Sequence, residues 1–444
     1  MSALAAELTG LVLNAVDHQR DELVDAISKA VQIPSVNPRY PGQVYEEMVG
    51  GEGQVSRFVA GIYRELGAEV DVFGLEPGRE NAVGAIRGSG GGRSLIYNGH
   101  VDVVPPGRSE NWRHDPFSGL IDGDRIWGRG STDMKAGVLA QAFAARALKH
   151  SGVRLRGDLI LETVVGEECM NNDIGVSATV ERGYRADAAV VAEPTTGTRA
   201  LAVMPTSPGQ LWFTLTVQGK VTHAANRGQT LHPTGAGQPP GVSAIDKGLV
   251  ILEGLRRLEQ QWAFSKRHPL YRPGQFTIMP GILDAGTTGV QFPLFVPERM
   301  RTEYLVWYPP DDDPENVKSQ IEEHVRQIAA TDDWLREHEP RIEWRLHWPA
   351  NSPAGDAITG AMGGAQERAA EGTRFAGAVE VAGFPAVDDA SWLTLAGIPA
   401  ISYGPGDLAV AHADDEFVRI DEVMCATRAF ALLAMEWCEV CSGA

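Results

Sequence analysis

The chain has 444 residues, 43% of them hydrophobic and 22% charged, and its 39 basic against 58 acidic side chains give a net charge of −19. That length exceeds one ordinary core, so two domains are expected, and so acidic a surface sets nucleic acid and anionic membrane aside as partners. The amino terminus lacks a basic leader pattern, no apolar run approaches a membrane span, and four cysteines fit a reducing cytoplasm better than a disulfide scaffold.

In chain order, residues 94–98 (SLIYN) predict a buried strand. Residues 135–150 predict a helix, with Val138, Leu139, Ala142, Phe143 and Leu148 on one stripe. Residues 158–165 (DLILETVV) and 188–192 (AAVVA) predict two more buried strands. This alternation of strand and helix points to an α/β sheet. The texture then changes. Residues 211–218 (LWFTLTVQ) alternate apolar and polar, as a half-exposed antiparallel strand does. Residues 224–241 are rich in Gly and Pro and predict a loop. A helix over 243–261 follows, then strands over 275–279, 303–308 and 341–347. A helix over 314–330 takes Asp313 as its N-cap. The last strand is expected at 398–403. The whole predicts a catalytic domain over 1–206 and 350–444, interrupted by a smaller α+β sandwich over 207–349.

The chemistry-bearing residues fall at the ends of these strands. His100 and Asp102 follow the first, Glu167 and Glu168 the second, and Glu193 the third. His412 follows the last through GPGDLAVAH, and Asp133 precedes the helix. Sites in α/β sheets form beyond the carboxyl ends of strands, so these residues are expected to converge. Two imidazoles and several carboxylates without a thiolate suit a pair of divalent cations. Asp414 and Asp415 are read as solvated loop charges, and the lone CxxC of Cys438 and Cys441 as packing.

The strings YNGHVDVVPPG, WGRGSTDMKAG, GEE, AEPT and AHADDE, in that order, carry a more specific signal. With them the chain resembles the aminoacylase, succinyl-diaminopimelate desuccinylase, acetylornithine deacetylase and glutamate carboxypeptidase family of two-metal hydrolases. The resemblance implies a zinc-peptidase-like catalytic domain with a mixed, largely parallel sheet, and an inserted domain that serves as lid and dimerisation surface. It implies that His100, Asp133 and Glu193 bind one cation, and that Asp133, Glu168 and His412 bind the other. It also implies a cis peptide between Asp133 and Met134. Zinc is the first candidate metal, with cobalt and manganese as alternatives. Asp102 would accept a hydrogen bond from His100 through its carboxylate. Glu167 would be the general base, and His223, in GKVTHAA, the oxyanion donor to the partner subunit's site in a homodimer built through the inserted domain.

The sequence departs from the family where many members place arginines for a substrate carboxylate. Trp307 stands in one place, within EYLVWYPP, and Ser391 in the other, within VDDASWL. Trp307, Arg301 and Asn172 are therefore the substrate-binding candidates, with Arg299 a second nearby guanidinium. The expected reaction is hydrolysis of an amide C–N bond in a small N-acyl amino acid, dipeptide or related amide. Two alternatives stand beside it: hydrolysis of another C–N bond, in an aromatic amine or carbamoyl substrate, and a metal-free scaffold. The scaffold is disfavoured because all five ligand candidates and the base are present.

Overall fold

The computed structural model describes residues 3–232 and 239–441. The chain divides into two compact units, Met1–Ser207 with Asn351–Ala444, and Pro208–Ala350. Among the described residues no helix is long and apolar enough to cross a membrane.

The first unit is built on an eight-stranded sheet. Its spatial order is Glu69–Glu76, Arg79–Ile86, Leu159–Val164, Leu95–His100, Ala188–Val191, Ala400–Ser402, Val203–Thr206 and Val381–Gly383. The four central strands, from Leu159–Val164 to Ala400–Ser402, run parallel to one another, while the strand beside each end of this set is antiparallel to it. Every residue of these four is buried, which is why they are near-continuous apolar runs rather than alternating ones. Helix Ala136–His150 packs beside them and against helix Ile420–Trp437. Its approach is close because Gly137 lacks a side chain: a Cβ there would lie 2.2 Å from the Ala192 carbonyl oxygen.

The edge hairpin of Glu69–Glu76 and Arg79–Ile86 was not among the expected elements: the first strand alternates only over EVDV, and the second groups its polar residues at its start. Three amino-terminal helices, Ala3–His18, Arg20–Val31 and Gly51–Glu65, also escaped the reading.

The second unit is a four-stranded antiparallel sheet in the order Ile278–Gly286, Arg299–Tyr308, Gly209–Gln218, Arg341–Trp348. Leu211, Phe213, Leu215 and Val217 bury one face in a core shared with helices Ala244–Ser265 and Pro314–Ala329. Both helices start on side-chain caps. Ser243 accepts from the Asp246 amide, and Asp313 accepts from those of Glu315 and Asn316.

The strand expected at 275–279 is displaced to Ile278–Gly286. The strand runs on through Pro280 because it is an edge strand, where a proline is tolerated, and its register shifts between Pro280 and Ile282. The loop expected over 224–241 is helical in part, with turns at Ala224–Asn226 and Arg227–Leu231, and residues 233–238 lie outside the described residues. Ser207 and Asn351, where the first unit breaks off and resumes, exchange backbone hydrogen bonds of 3.2 and 3.0 Å.

Candidate metal centre

The four neighbouring parallel strands explain how residues distant in sequence meet. Leu95–His100 ends on His100 itself. Leu159–Val164 leads into the turn of Glu167 and Glu168, and Ala188–Val191 leads to Glu193. Ala400–Ser402 opens the loop that carries His412, whose φ of +59° is in the left-handed region, uncommon outside glycine. Asp133 lies in the turn Ser131–Lys135 ahead of its helix, with extended φ and ψ of −120° and 96°, and the helix's cap position falls on Lys135 rather than on it. Its bond to Met134 is cis, as the resemblance implied.

Two groups result. His100, Asp133 and Glu193 offer ligand atoms within 4.8 Å of one another, and so do Asp133, Glu168 and His412. Asp133 divides its carboxylate between them. Oδ1 is 3.1 Å from His100 Nε2, and Oδ2 is 3.3 Å from His412 Nε2. Glu193 Oε1 lies 3.6 Å from His100 Nε2, and Glu168 Oε2 lies 3.1 Å from His412 Nε2. Glu167 Oε2 stands 4.0 Å from His100 Nε2.

The electrostatics of the cluster suit the binding of cations. Burial, with repulsion from the neighbouring carboxylates, pushes Glu167 and Glu193 well above the usual carboxylate range and raises Glu168. Asp133 is also buried, but its contacts with His100 and His412 outweigh burial and hold it below that range. Burial opposes charge on His100, yet Asp133, Glu167 and Glu193 hold its pKa well up. Half-exposed His412 is raised to about 11, because Asp133 and Glu168 outweigh its own partial burial. Among the described residues no Lys or Arg pairs with these carboxylates, and the 3.1 Å contact of buried Asp133 Oδ1 with His100 Nε2 falls short of hydrogen-bond geometry. A donor set of two imidazoles and three carboxylates, short of positive charge, suits two divalent cations.

One expected contact differs. His100 Nδ1 is 3.0 Å from the backbone oxygen of Asp102 and 3.7 Å from its carboxylate. The carboxylate is otherwise engaged. It accepts the Gly166 and Glu168 amides at 2.9 and 3.1 Å and the Asn37 side chain at 2.8 Å. Asp102 thus holds the imidazole through its backbone and the Glu167–Glu168 turn through its side chain. Behind it Arg79 donates to Asn37 at 3.2 Å and forks onto fully buried Glu52 at 2.5 and 2.8 Å. The sequence reading missed Asn37, Arg79 and Glu52, which match no site string. It also passed over Asp389 beside Ser391. Both Asp389 oxygens are buried without a hydrogen-bond partner, and burial raises its pKa to about 8. Ser391 itself donates to the Asp388 backbone oxygen at 2.9 Å.

Asn172 lies in the turn after Glu168 and donates to Ser177 Oγ at 3.1 Å. The remaining candidates belong to the second unit. His223 is exposed, and its Nδ1 accepts the Ala225 amide at 3.0 Å. Trp307 is outside the helix-covered core. It sits half-buried on the other face of the sheet, on the same side as Arg301 and Leu305 of its strand. Arg301 is ion-paired with Glu303, and Arg299 with Asp284 at 2.8 Å.

Comparison with known proteins places these strings in context. Residues 96–436 match the family described as peptidase family M20/M25/M40. The chain is 30% identical over 437 residues to an N-formyl-4-amino-5-aminomethyl-2-methylpyrimidine deformylase of Halalkalibacterium halodurans, covering 97% of each chain. It is 32% identical over 404 residues to the enzyme of that name from Bacillus subtilis, covering 86% of this chain and 89% of the other. A dipeptidase structure from Saccharomyces cerevisiae shares the fold, with a TM-score of 0.70 at 14% identity over 98% of this chain and 99% of that one.

Proposed function

The chain belongs to peptidase family M20/M25/M40 and hydrolyses amide C–N bonds, and on that premise we propose that it removes a small acyl group, formyl first, from the amine of an aminomethyl-substituted aromatic heterocycle. What carries this reading is the similarity, along 97% of the chain, to a deformylase of a pyrimidine amide. Trp307 supports it, because an indole suits a planar ring. So do Arg299 and Arg301, whose guanidiniums already have carboxylate partners.

In this reading His100, Asp133 and Glu193 hold one cation, and Asp133, Glu168 and His412 the other, zinc first and cobalt or manganese as alternatives. Two such cations, when bound, supply carbonyl polarisation and a water acidic enough to deprotonate near neutral pH. Glu167 takes that proton at its carboxylate and returns it to the leaving nitrogen as the C–N bond breaks. His223 donates a hydrogen bond to the carbonyl oxygen as it gains charge. Asp102 keeps the Glu167 turn and the His100 ring in register.

A panel of amides scored for released amine tests the substrate. An N-formyl aminomethylpyrimidine is expected to exceed N-succinyl and N-acetyl amino acids and dipeptides in kcat/KM by at least about tenfold, which is about 1.4 kcal/mol of transition-state discrimination. Faster turnover of an N-acyl amino acid would replace this reading with the family's carboxylate-directed one.

We assign the enzyme to the cytoplasm, supported by four cysteines all free of disulfides, and assemble it as a homodimer through the second unit. Its edge strand exposes Met279, Ile282 and Leu283, and a bare edge tends to pair. His223 would then serve the partner's site. Mixing Glu167→Gln chains with His223→Ala chains, each inactive alone, is expected to restore activity, because one site of each mixed dimer carries neither defect. A mixture that stays inactive despite verified subunit exchange would place His223 in its own chain's site.

A further inference from the structure

The turn that carries Asp133 is held by a carboxylate outside both ligand groups. Glu416 is fully buried, and its Oε1 accepts three backbone amides, from Gly130 at 3.0 Å, Thr132 at 2.9 Å and Asp133 at 3.1 Å. Its Oε2 pairs with Arg129 Nη1 at 2.5 Å. The Glu416 backbone oxygen accepts the Gly128 amide at 2.9 Å, and Thr132 Oγ1 donates to the next carbonyl, Phe417, at 2.6 Å. At the end of the same turn Lys135 Nζ donates to the Ala30 and Ile33 carbonyls at 3.0 and 2.9 Å.

The need for this support is local. Asp133 and Met134 depart from helical φ and ψ, so the turn's amides cannot all be satisfied within a helix. A single carboxylate oxygen gathers three of them, in the manner of an anion seated in a nest of amides. The gathered set includes the amide of Asp133 itself, so the orientation of that residue is tied to Glu416. Glu416 also lies four residues beyond His412, and its backbone bond to Gly128 joins the two segments that bear Asp133 and His412.

We infer that Glu416 is the positioning residue for Asp133: its three amide bonds set the direction in which the two Asp133 oxygens part, and so the capacity of the site to hold two cations at once. The inference rests on the proposed reading of Asp133 as the shared ligand. It makes reach, rather than charge, the property that matters in Glu416. A glutamine keeps an oxygen at the same distance, whereas an aspartate keeps the charge and withdraws it by one methylene.

The test is zinc titration of metal-free protein against a chromogenic chelator, for wild type, Glu416→Gln, Glu416→Asp and Glu416→Ala, with thermal unfolding of each metal-free protein alongside. Wild type is expected to bind two zinc ions. The Asp and Ala variants are expected to lose about 10- to 100-fold in affinity for at least one ion while still folded, the range seen when a group orienting a metal ligand is removed. Gln is expected to fall between them and wild type. Ala leaves three buried amides unpaired and is the variant at risk of not folding, in which case Asp decides. Wild-type affinities in a folded Asp variant, or an Asp variant that binds better than Gln, would overturn the inference. Fewer than two zinc ions on the wild type would instead overturn the two-metal reading beneath it.

Discussion

Glu167→Gln is expected to lower turnover by roughly 10²–10⁴-fold, the range contributed by a positioned general base, while both cations stay bound. The amide has the shape of the carboxylate and cannot take a proton. Glu167 stands at the edge of the ligand cluster, 4.0 Å from His100 Nε2, and belongs to neither ligand group. Glu168, one residue on, belongs to the group with Asp133 and His412. The same change at Glu168 should therefore remove metal as well as rate. Steady-state kinetics paired with elemental analysis separates the two positions. Near-normal turnover in Glu167→Gln, or loss of metal from it, would take the base role away from this residue.

Asp133→Ala is expected to cost the protein both cations and leave no measurable amide hydrolysis. The two groups share this residue and no other, one through each carboxylate oxygen. Its removal leaves His100 with Glu193 on one side and Glu168 with His412 on the other, two ligands each, below the three protein ligands typical of a catalytic zinc site. His412→Ala instead leaves the His100–Asp133–Glu193 group whole, so one equivalent should remain. Metal content of the two purified variants after dialysis against zinc-free buffer is the measurement. Two full equivalents on Asp133→Ala would refute the shared-ligand geometry.

What the sequence made legible follows from range. The central strands are apolar runs such as LILETV and AAVV, and burial of every residue leaves that pattern plain. Their ends mark where polar residues gather, so His100, Glu168, Glu193 and His412 could be singled out beside strands the chain brings together. The supports behind them left no such mark. Arg79, Glu52 and Asn37 come from separate elements, and only their meeting beneath Asp102 gives them a role. Glu416 sat inside a string already in view, yet its neighbours Asp414 and Asp415 drew the comparison, and nothing local distinguishes a buried acid from a solvated one. The strand at Ile278–Gly286 runs through Pro280, and edge position, which lets a strand keep a proline, is a property of the sheet and not of the segment.

The paired backbone of Ser207 and Asn351 has a consequence for how this protein can be taken apart. Residues in antiparallel register stand about 4.5–5.5 Å apart, a gap that a two-residue turn spans. All five ligand candidates, the base and Glu416 lie on the near side of that junction, in Met1–Ser207 and Asn351–Ala444. The polypeptide can therefore be spliced there, with 208–350 excised and the stumps joined, without severing any strand that bears a ligand. The spliced chain would be a one-piece metal receptor stripped of His223, in which cation uptake is measured apart from turnover.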